Sequence, residues 1–298
     1  MKTLTIFTPA YNRAHTIART YASLLRQTCK DFEWLVVDDG STDNTQELVE
    51  GWINENKIPI KYVRQENQGM HGAHNTAYRN IETELNTCID SDDFMPDDAV
   101  EKIVMFWDKH RTENVAGFVG LDYTIDGELI GDLLPSGKIS LWRYLINGGR
   151  GDKKLVYRTD VIKQYPDYPI FEGEKYVSLA TKYFLIDQDL PLLTINEPLV
   201  YVDYQLDGSS YNMYRNYVMN PKGFVFDRKL VLSTRQPLKV KLKYCIHYIA
   251  NKLLAKECST IISDSPVKVF TILMLPLGWL WYKIIVHNYN KGKKMSIK

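Results

Sequence analysis

Three carboxylates fall within four residues at Asp90-Ser91-Asp92-Asp93, directly after the apolar Cys88-Ile89. Like charges this close raise one another's pKa unless a counter-charge sits among them. Carboxylate oxygens are hard ligands, so Mg²⁺ or Mn²⁺ is the natural partner, usually bound through one or two carboxylates plus a substrate phosphate. The alternative is a solvated acidic loop in which an aspartate caps the next helix. A second pair, Asp38-Asp39, precedes Gly40-Ser41. A carboxylate there can accept from a ribose hydroxyl or a base N–H, and Gly40 permits a sharp turn. Glu66-Asn67-Gln68-Gly69-Met70-His71-Gly72 is a polar loop whose glycines allow a ligand to approach the backbone. His71 and His74 can contact phosphate there, or simply occupy a half-exposed helix face. There is no GxxxxGK[ST] and no strand followed by GxGxxG, and the lone cluster Gly148-Gly149-Arg150-Gly151 carries little weight.

The elements around these residues alternate. Leu4 to Phe7 reads as a strand ended by Pro9, and 15–27 carries Ile17, Tyr21, Leu24 and Leu25 at helical spacing. Phe32 to Val37 is a second strand. Ser41 or Thr42 can cap a helix running through Trp52. Ile58 to Val63, Met70 to Ile81 and Asn86 to Ile89 read as strand, helix and strand, and Pro96 opens a further helix. This alternation predicts a parallel sheet with helices on both faces. Ligands in such sheets sit beyond the carboxyl ends of the strands, at Thr8 to Arg13, Asp38 to Asp43 and Asp90 to Asp93. Beyond Val115 the pattern is mixed and rich in Tyr. A strand is expected at 115–124, a weak helix at 175–187 and a strand at 197–204.

Composition sets the boundaries. The 298 residues carry net charge +1, with 45% apolar and 24% charged residues, which excludes disordered and collagen-like chains. Cys29, Cys88, Cys245 and Cys258 form no CxxC pair, so reduced thiols in a cytosolic compartment are expected. No secretory signal is read at the N-terminus. The charge is uneven: from Arg235 onward there are 12 Lys or Arg against 2 Asp or Glu, leaving an acidic body. In that tail, Leu238 to Lys256 has a helical apolar face. Val269 to Val286 is strongly apolar but interrupted by Pro276 and Gly278, and Lys291, Lys293 and Lys294 follow. No run of about 18 uninterrupted apolar residues occurs. Pro276 is expected to break or kink a spanning helix. Trp279, Trp281, Tyr282 and the lysines suit a segment lying in the plane of an anionic membrane surface. The alternative is a helix packed on the body. Nucleic acid is not expected as a partner, because the basic residues accompany an apolar tail.

Together these segments resemble the family 2 glycosyltransferases with the GT-A fold. Thr8-Pro9-Ala10-Tyr11-Asn12-Arg13, Val36-Val37-Asp38-Asp39-Gly40-Ser41-Thr42-Asp43, Asn67-Gln68-Gly69 with His74-Asn75, and Ile89-Asp90-Ser91-Asp92-Asp93 are similar to the family's motifs, in order, over residues 4–98. The resemblance implies a doubly wound α/β domain and a nucleotide-sugar donor, most often a UDP-sugar, with inversion at the anomeric carbon. It implies that Thr8, Pro9, Tyr11 and Asp39 line the base and ribose pocket, joined by Arg13, Asp38, Gly69 and Asn75. Asp90 and Ser91 would approach the ribose or sugar, and Asp92, assisted by Asp93, would hold Mn²⁺ or Mg²⁺ on the diphosphate. The organisation it suggests is a nucleotide-sugar half at 1–110, an acceptor half at 111–234 and a helical membrane-associating tail at 235–298.

Many family members carry a Glu-Asp pair whose Asp is the catalytic base. Here the matching stretch is Phe171-Glu172-Gly173-Glu174-Lys175-Tyr176, with Lys175 in the place of that Asp. Glu174 is the first candidate base and Glu172 the second. The other reading is a helix N-terminus stabilised by acids. This stretch, Gly151-Asp152-Lys153 and Asp207-Gly208-Ser209 resemble a bacterial subgroup that acts in surface polysaccharide assembly. The Gln-x-x-Arg-Trp of processive synthases is not found, so transfer of one sugar to a glycan or lipid-linked acceptor is expected, on the cytoplasmic face of the cell membrane. Two rivals remain. One is a catalytically inactive GT-A nucleotide-sugar-binding or assembly protein. The other is a haloacid-dehalogenase-like phosphatase with Asp90 as nucleophile, a reading weakened by Asp93 standing where Thr or Val belongs and by the motif's position on the fourth strand.

Overall fold

A computed structural model describes residues 2–203 and 213–295 of the chain. Asp207-Gly208-Ser209 lies outside the described residues. By its internal contacts the chain divides into two compact units, 1–167 with 182–205, and 168–181 with 206–298.

The first unit holds one eight-stranded sheet. Its elements run β1 (Leu4–Ala10), α1 (Ile17–Arg26), β2 (Phe32–Asp38), α2 (Thr45–Glu55), β3 (Ile60–Arg64), α3 (Met70–Asn80), β4 (Leu85–Cys88) and α4 (Ala99–His110). Then follow β5 (Gly117–Thr124), β6 (Lys138–Ile139), α5 (Leu141–Ile146), β7 (Lys153–Arg158), α6 (Thr159–Ile162), α7 (Ala180–Asp189), which starts in the other unit, and β8 (Leu192–Val202). The strand order is β3-β2-β1-β4-β7-β5-β8-β6. Strands β1 to β4 pair in parallel, as do β5 and β8, while β7 runs antiparallel between β4 and β5.

The chain leaves β1 toward β2 and later returns to β1's other side as β4. The crevice at the carboxyl end of β1 is therefore the topological switch point. Strand β1 is buried along its whole length, as a strand covered on both faces must be. Leu4 and Ile6 join Trp34 and Val36 in one core, where Tyr21 of α1 and Trp52 of α2 stack on each other at 4.3 Å. Phe7 points the other way and meets His74 and Tyr78 of α3 edge-on at 5.0 and 5.5 Å. Each such ring contributes roughly 1.5–3 kcal/mol on burial.

From Met213 on, the second unit is mainly helical over the residues described: α8 (Met213–Met219), α9 (Pro221–Leu232), α10 (Leu238–Leu254) and α11 (Lys268–Met295). Of the break or kink expected at Pro276, the break does not occur: α11 runs on through it. Pro276 and Ile272 both lie on the exposed side, so the backbone carbonyl that loses its partner is not trapped in the core. Helix α2 starts at Thr45 rather than at Ser41 or Thr42, because the side chains of 41–45 are used to tie down a neighbouring loop. Strand β8 begins at Leu192, five residues before the expected start at 197.

Candidate functional site

Three loops meet at the switch point, and their side chains are committed mostly to one another. Asn12, in the left-handed region at φ 54°, accepts from the Thr42 amide at 2.8 Å, and its own amide donates to Ser41 Oγ at 2.9 Å. The Arg13 amide donates to Thr45 Oγ1 and the Ala14 amide to Asp43 Oδ2, both at 3.0 Å. Burial pushes the Asp43 carboxyl up, but the Thr45 hydroxyl and the backbone amides of Ala14, Thr45 and Asp43 itself outweigh it and hold its pKa below the usual carboxylate value. Asp38, wholly buried, accepts from the Ser41 amide at 2.7 Å and from the Tyr62 hydroxyl. Asp39 fastens the third loop: it accepts from Gln65 Nε2 and the Gln68 and Gly69 amides at 2.7 to 2.8 Å. Gly40, at φ 82°, lets the 65–67 backbone pass, since a Cβ there would lie 3.0 Å from the Asn67 nitrogen.

Of the other residues expected at the donor pocket, Thr8 and Pro9 are buried in β1, and Thr8 Oγ1 accepts from Trp34 Nε1 at 2.9 Å. Tyr11 is 48% exposed beside them and Arg13 is half-buried. Gly69, at φ 83°, opens α3, and Asn75 is buried within it. His74 is buried. Its Nδ1 lies 3.1 Å from the Tyr78 hydroxyl and its Nε2 lies 3.7 Å from Cys88 Sγ.

Burial, helped by Lys182, His71 and Lys154, depresses the His74 pKa to about 3. An unfolded histidine binds its proton near pH 6.5. The folded state thus holds fewer protons between these values, and stability falls as pH drops below about 6.5, by at most about 1.4 kcal/mol per unit. In His74→Gln this acid sensitivity is expected to flatten. Urea unfolding of both proteins at pH 7 and pH 5 measures it, and parallel losses would refute it.

The acidic loop follows β4. Asp90 is exposed, Asp92 half-buried, and Ser91 and Asp93 buried, with carboxylate oxygens of the three aspartates within 4.8 Å of one another. Burial and the Asp90 charge raise the Asp92 pKa, and they push Asp93 up to about 8. A hard-oxygen cluster whose carboxyls still repel one another fits a divalent cation.

The loop is held by residues that sequence reading did not single out. Arg19 of α1 donates to the Asp92 carbonyl and pairs with Asp203 at 2.8 Å. The Asp203 amide donates to Asp93 Oδ1 at 3.1 Å, and the Thr20 hydroxyl donates to the Asp93 carbonyl at 2.7 Å. Lys154 of β7 donates to the Cys88 carbonyl at 2.9 Å. Arg19 and Asp203 are far apart in sequence, and no local spacing signals their pairing.

The candidate bases belong to the second unit. Glu172 is exposed. Glu174 is buried, and its two oxygens accept from the Lys222 and Gly223 amides at 2.9 Å each, in the first turn of α9. The Lys175 amide donates to Asn220 Oδ1 at 2.7 Å. Gly223 admits this segment, because a Cβ there would lie 2.1 Å from the Tyr176 carbonyl oxygen.

A family model described as Glycosyl transferase family 2 matches residues 5–164. Glycosyltransferase GlyA of Streptococcus pneumoniae is 36% identical over 100 residues, covering 34% of this chain and 14% of that protein. The chondroitin synthase of Escherichia coli is 39% identical over 99 residues, covering 33% and 14%. The chain therefore spans about a seventh of these two relatives. The UDP-Glc:alpha-D-GlcNAc-diphosphoundecaprenol beta-1,3-glucosyltransferase WfgD of Escherichia coli is 28% identical over 210 residues, covering 70% and 78%. Among solved structures, S. aureus TarS 1-349 in complex with UDP-GlcNAc superimposes with TM-score 0.59 at 17% identity, covering 98% of this chain and 92% of that one. The mannosyltransferase PcManGT of Pyrobaculum calidifontis, in complex with GDP-Man and Mn2+, does so with TM-score 0.56 at 17% identity, covering 97% and 83%. These two neighbours support the fold, a GT-A sheet with a helical C-terminal tail. With residues 5–164, more than half of its length, matched across the strands and acidic loops described above, the chain belongs to glycosyl transferase family 2.

Proposed function

We propose that the protein moves one sugar from a nucleotide-sugar, a UDP-sugar first, to a hydroxyl of a lipid-linked or glycan acceptor in bacterial surface polysaccharide assembly. The observation that carries this is the Asp90, Asp92 and Asp93 cluster at the end of β4, beside the switch point. The donor preference rests on the UDP-Glc of one relative's name and the UDP-GlcNAc bound in one neighbour. The diphosphoundecaprenol acceptor of that relative supports a lipid-linked acceptor here.

In this reading the loops at Pro9 to Arg13, Asp38-Asp39 and Gly69 hold the nucleoside, and Asp90 meets the ribose or sugar. Asp92 and Asp93 hold Mn²⁺ or Mg²⁺, which when bound neutralises the charge gathering on the departing diphosphate. A carboxylate of 171–176 takes the acceptor proton, Glu174 first and Glu172 second. The acceptor oxygen bonds to the anomeric carbon from the face opposite the diphosphate, which leaves with the electron pair of the breaking C–O bond and so inverts the centre. The functional divisions 1–110, 111–234 and 235–298 belong to this proposal. Melting temperatures with UDP, GDP and CDP, with and without Mn²⁺, test it. Mn²⁺-dependent stabilisation by UDP supports the reading, and none by any nucleotide would sink it. The engagement of both Glu174 oxygens by α9 favours a second reading, a donor-binding protein without turnover, which binding without transfer would reveal.

The tail is proposed as a peripheral anchor on the inner membrane face. Helix α11 is the one helix among the described residues long and apolar enough to cross a membrane, over Lys268–Gly292. One side of it packs within its own unit, Ile285 against Tyr217, Phe224 and Ala250, and Gly278 on Ile249. The other side leaves Val269, Ile272, Leu273, Leu277 and Leu280 about half or more exposed, with Lys268 before them and Lys283 after. A half-packed helix with such a stripe suits the membrane plane. The double variant Leu273→Asn, Leu280→Asn is expected to co-sediment with phosphatidylglycerol vesicles at least roughly tenfold more weakly. Equal co-sedimentation would refute the anchor.

A further inference from the structure

The acidic cluster has a cation of its own. Lys154 lies on β7, the antiparallel strand that pairs with both β4 and β5. Its register partner on β5 is Gly120, which leaves no side chain beside it. Glycine is required there, because a Cβ would lie 2.3 Å from Leu199 Cδ1. The Lys154 ammonium donates to the carbonyl of Cys88, the last residue of β4 and two before Asp90. The charges of Asp122, Asp93 and Asp90 act on it there through space rather than by direct ion pairs. Burial opposes its charge, but these groups and Cys88 outweigh that and hold its pKa above the ordinary lysine value.

Asp122, on β5 two residues beyond Gly120, is only 4% exposed, and its Oδ1 has no hydrogen-bond partner among the described residues. Burial pushes its pKa up to about 6, with Lys154 the largest influence pulling it down. Asp90, Asp92, Asp93 and Asp122 thus share a corner with the Lys154 ammonium, while Lys153 also acts on Asp122 and Arg13 and Arg19 act on Asp92. Arg19 is engaged by Asp203.

We infer that Lys154 is a built-in counter-ion of the acidic cluster, a positioning residue that braces the end of β4 through the Cys88 carbonyl and by its charge sets how tightly a divalent ion binds. The inference rests on the metal reading above. A fixed positive charge repels an incoming divalent ion from the carboxylates it already partners. The ion then binds best when a nucleoside diphosphate brings further negative charge, and it leaves when that diphosphate leaves. Removing the ammonium favours protons as well, but a divalent ion feels the missing charge twice, so the ion gains on balance.

The test is a Mn²⁺ titration read by electron paramagnetic resonance, without and with UDP, on wild type, Lys154→Met, Lys154→Arg and Asp92→Asn. Lys154→Met is expected to bind Mn²⁺ on the order of tenfold more tightly without nucleotide, and UDP is expected to improve its Mn²⁺ affinity less than it does in wild type. Lys154→Arg, which keeps the charge, should stay near wild type. Equal or weaker Mn²⁺ binding by Lys154→Met, with its circular dichroism and melting curve intact, would overturn the inference. Lys154→Gln serves the same purpose if the methionine variant does not fold. The metal reading fails separately, if wild type binds no Mn²⁺ with or without UDP. In that case Mn²⁺ binding gained by Lys154→Met still supports the counter-ion role, and none in either protein overturns both.

Discussion

Asp92→Asn is expected to lower kcat/KM for sugar transfer by about 10²–10³, the range seen when one preorganised electrostatic contact to a developing anion is lost. The same variant should lose the Mn²⁺-dependent part of any UDP stabilisation. Its fold should not suffer. Asp92 is half-buried beside Asp90, and both burial and that neighbour work against its charge. A neutral amide of the same shape removes the repulsion while the Arg19 contact persists, because that contact is to the Asp92 backbone carbonyl. The melting temperature is therefore expected to hold or rise. Activity lost at unchanged stability separates a role at the reacting diphosphate from a role in holding the loop. Wild-type transfer rates in Asp92→Asn, or in wild type with excess chelator, would remove metal from the mechanism.

Glu174→Gln should lower kcat by about 10²–10⁴ if the carboxylate takes the acceptor proton. The surroundings give a competing expectation of different size. Glu174 caps the first turn of α9 with both oxygens, and a buried carboxylate at a helix N-terminus stabilises by about 1–2 kcal/mol. A purely structural Glu174 would show that loss as a melting temperature lower by about 2–4 °C, with kcat little changed. Rate and melting temperature read together distinguish the two roles. If kcat survives, Glu172→Gln is the next variant, since Glu172 is exposed and outside that cap. If both variants transfer at wild-type rates, proton removal does not lie in 171–176.

Much of the donor half was legible because its information is local. Each early strand is a short apolar run closed by a polar turn, and each turn displays its chemistry in consecutive residues. The pairs Asp38-Asp39 and Asp92-Asp93 and the loop before Gly69 stand where parallel strands end, and the strand order brings those ends together. The roles of single atoms were less legible. Thr8 Oγ1 accepts from Trp34 Nε1, and Asp39 accepts from Gln65 and two loop amides. Hydrogen bonds of this kind depend on which loops become neighbours, and composition does not carry that.

The sequence by itself determined the sheet-and-helix alternation, the family, the acidic metal candidate and the charged, apolar tail. Periodicity, turn residues and clustered carboxylates are properties of short windows, and physical chemistry acts on them before any long-range contact forms. Tertiary structure decided the rest. It set antiparallel β7 between β4 and β5, so that Lys154 reaches the carbonyl at the end of β4 and its charge acts on Asp122. It joined Arg19 to Asp203 across 184 positions and hung the Asp92 carbonyl on the same guanidinium. It also engaged Glu174 with α9, about 50 residues further on. A buried charge takes its partner from whichever element packs beside it, and that neighbour is fixed by the strand order and helix packing of the whole chain.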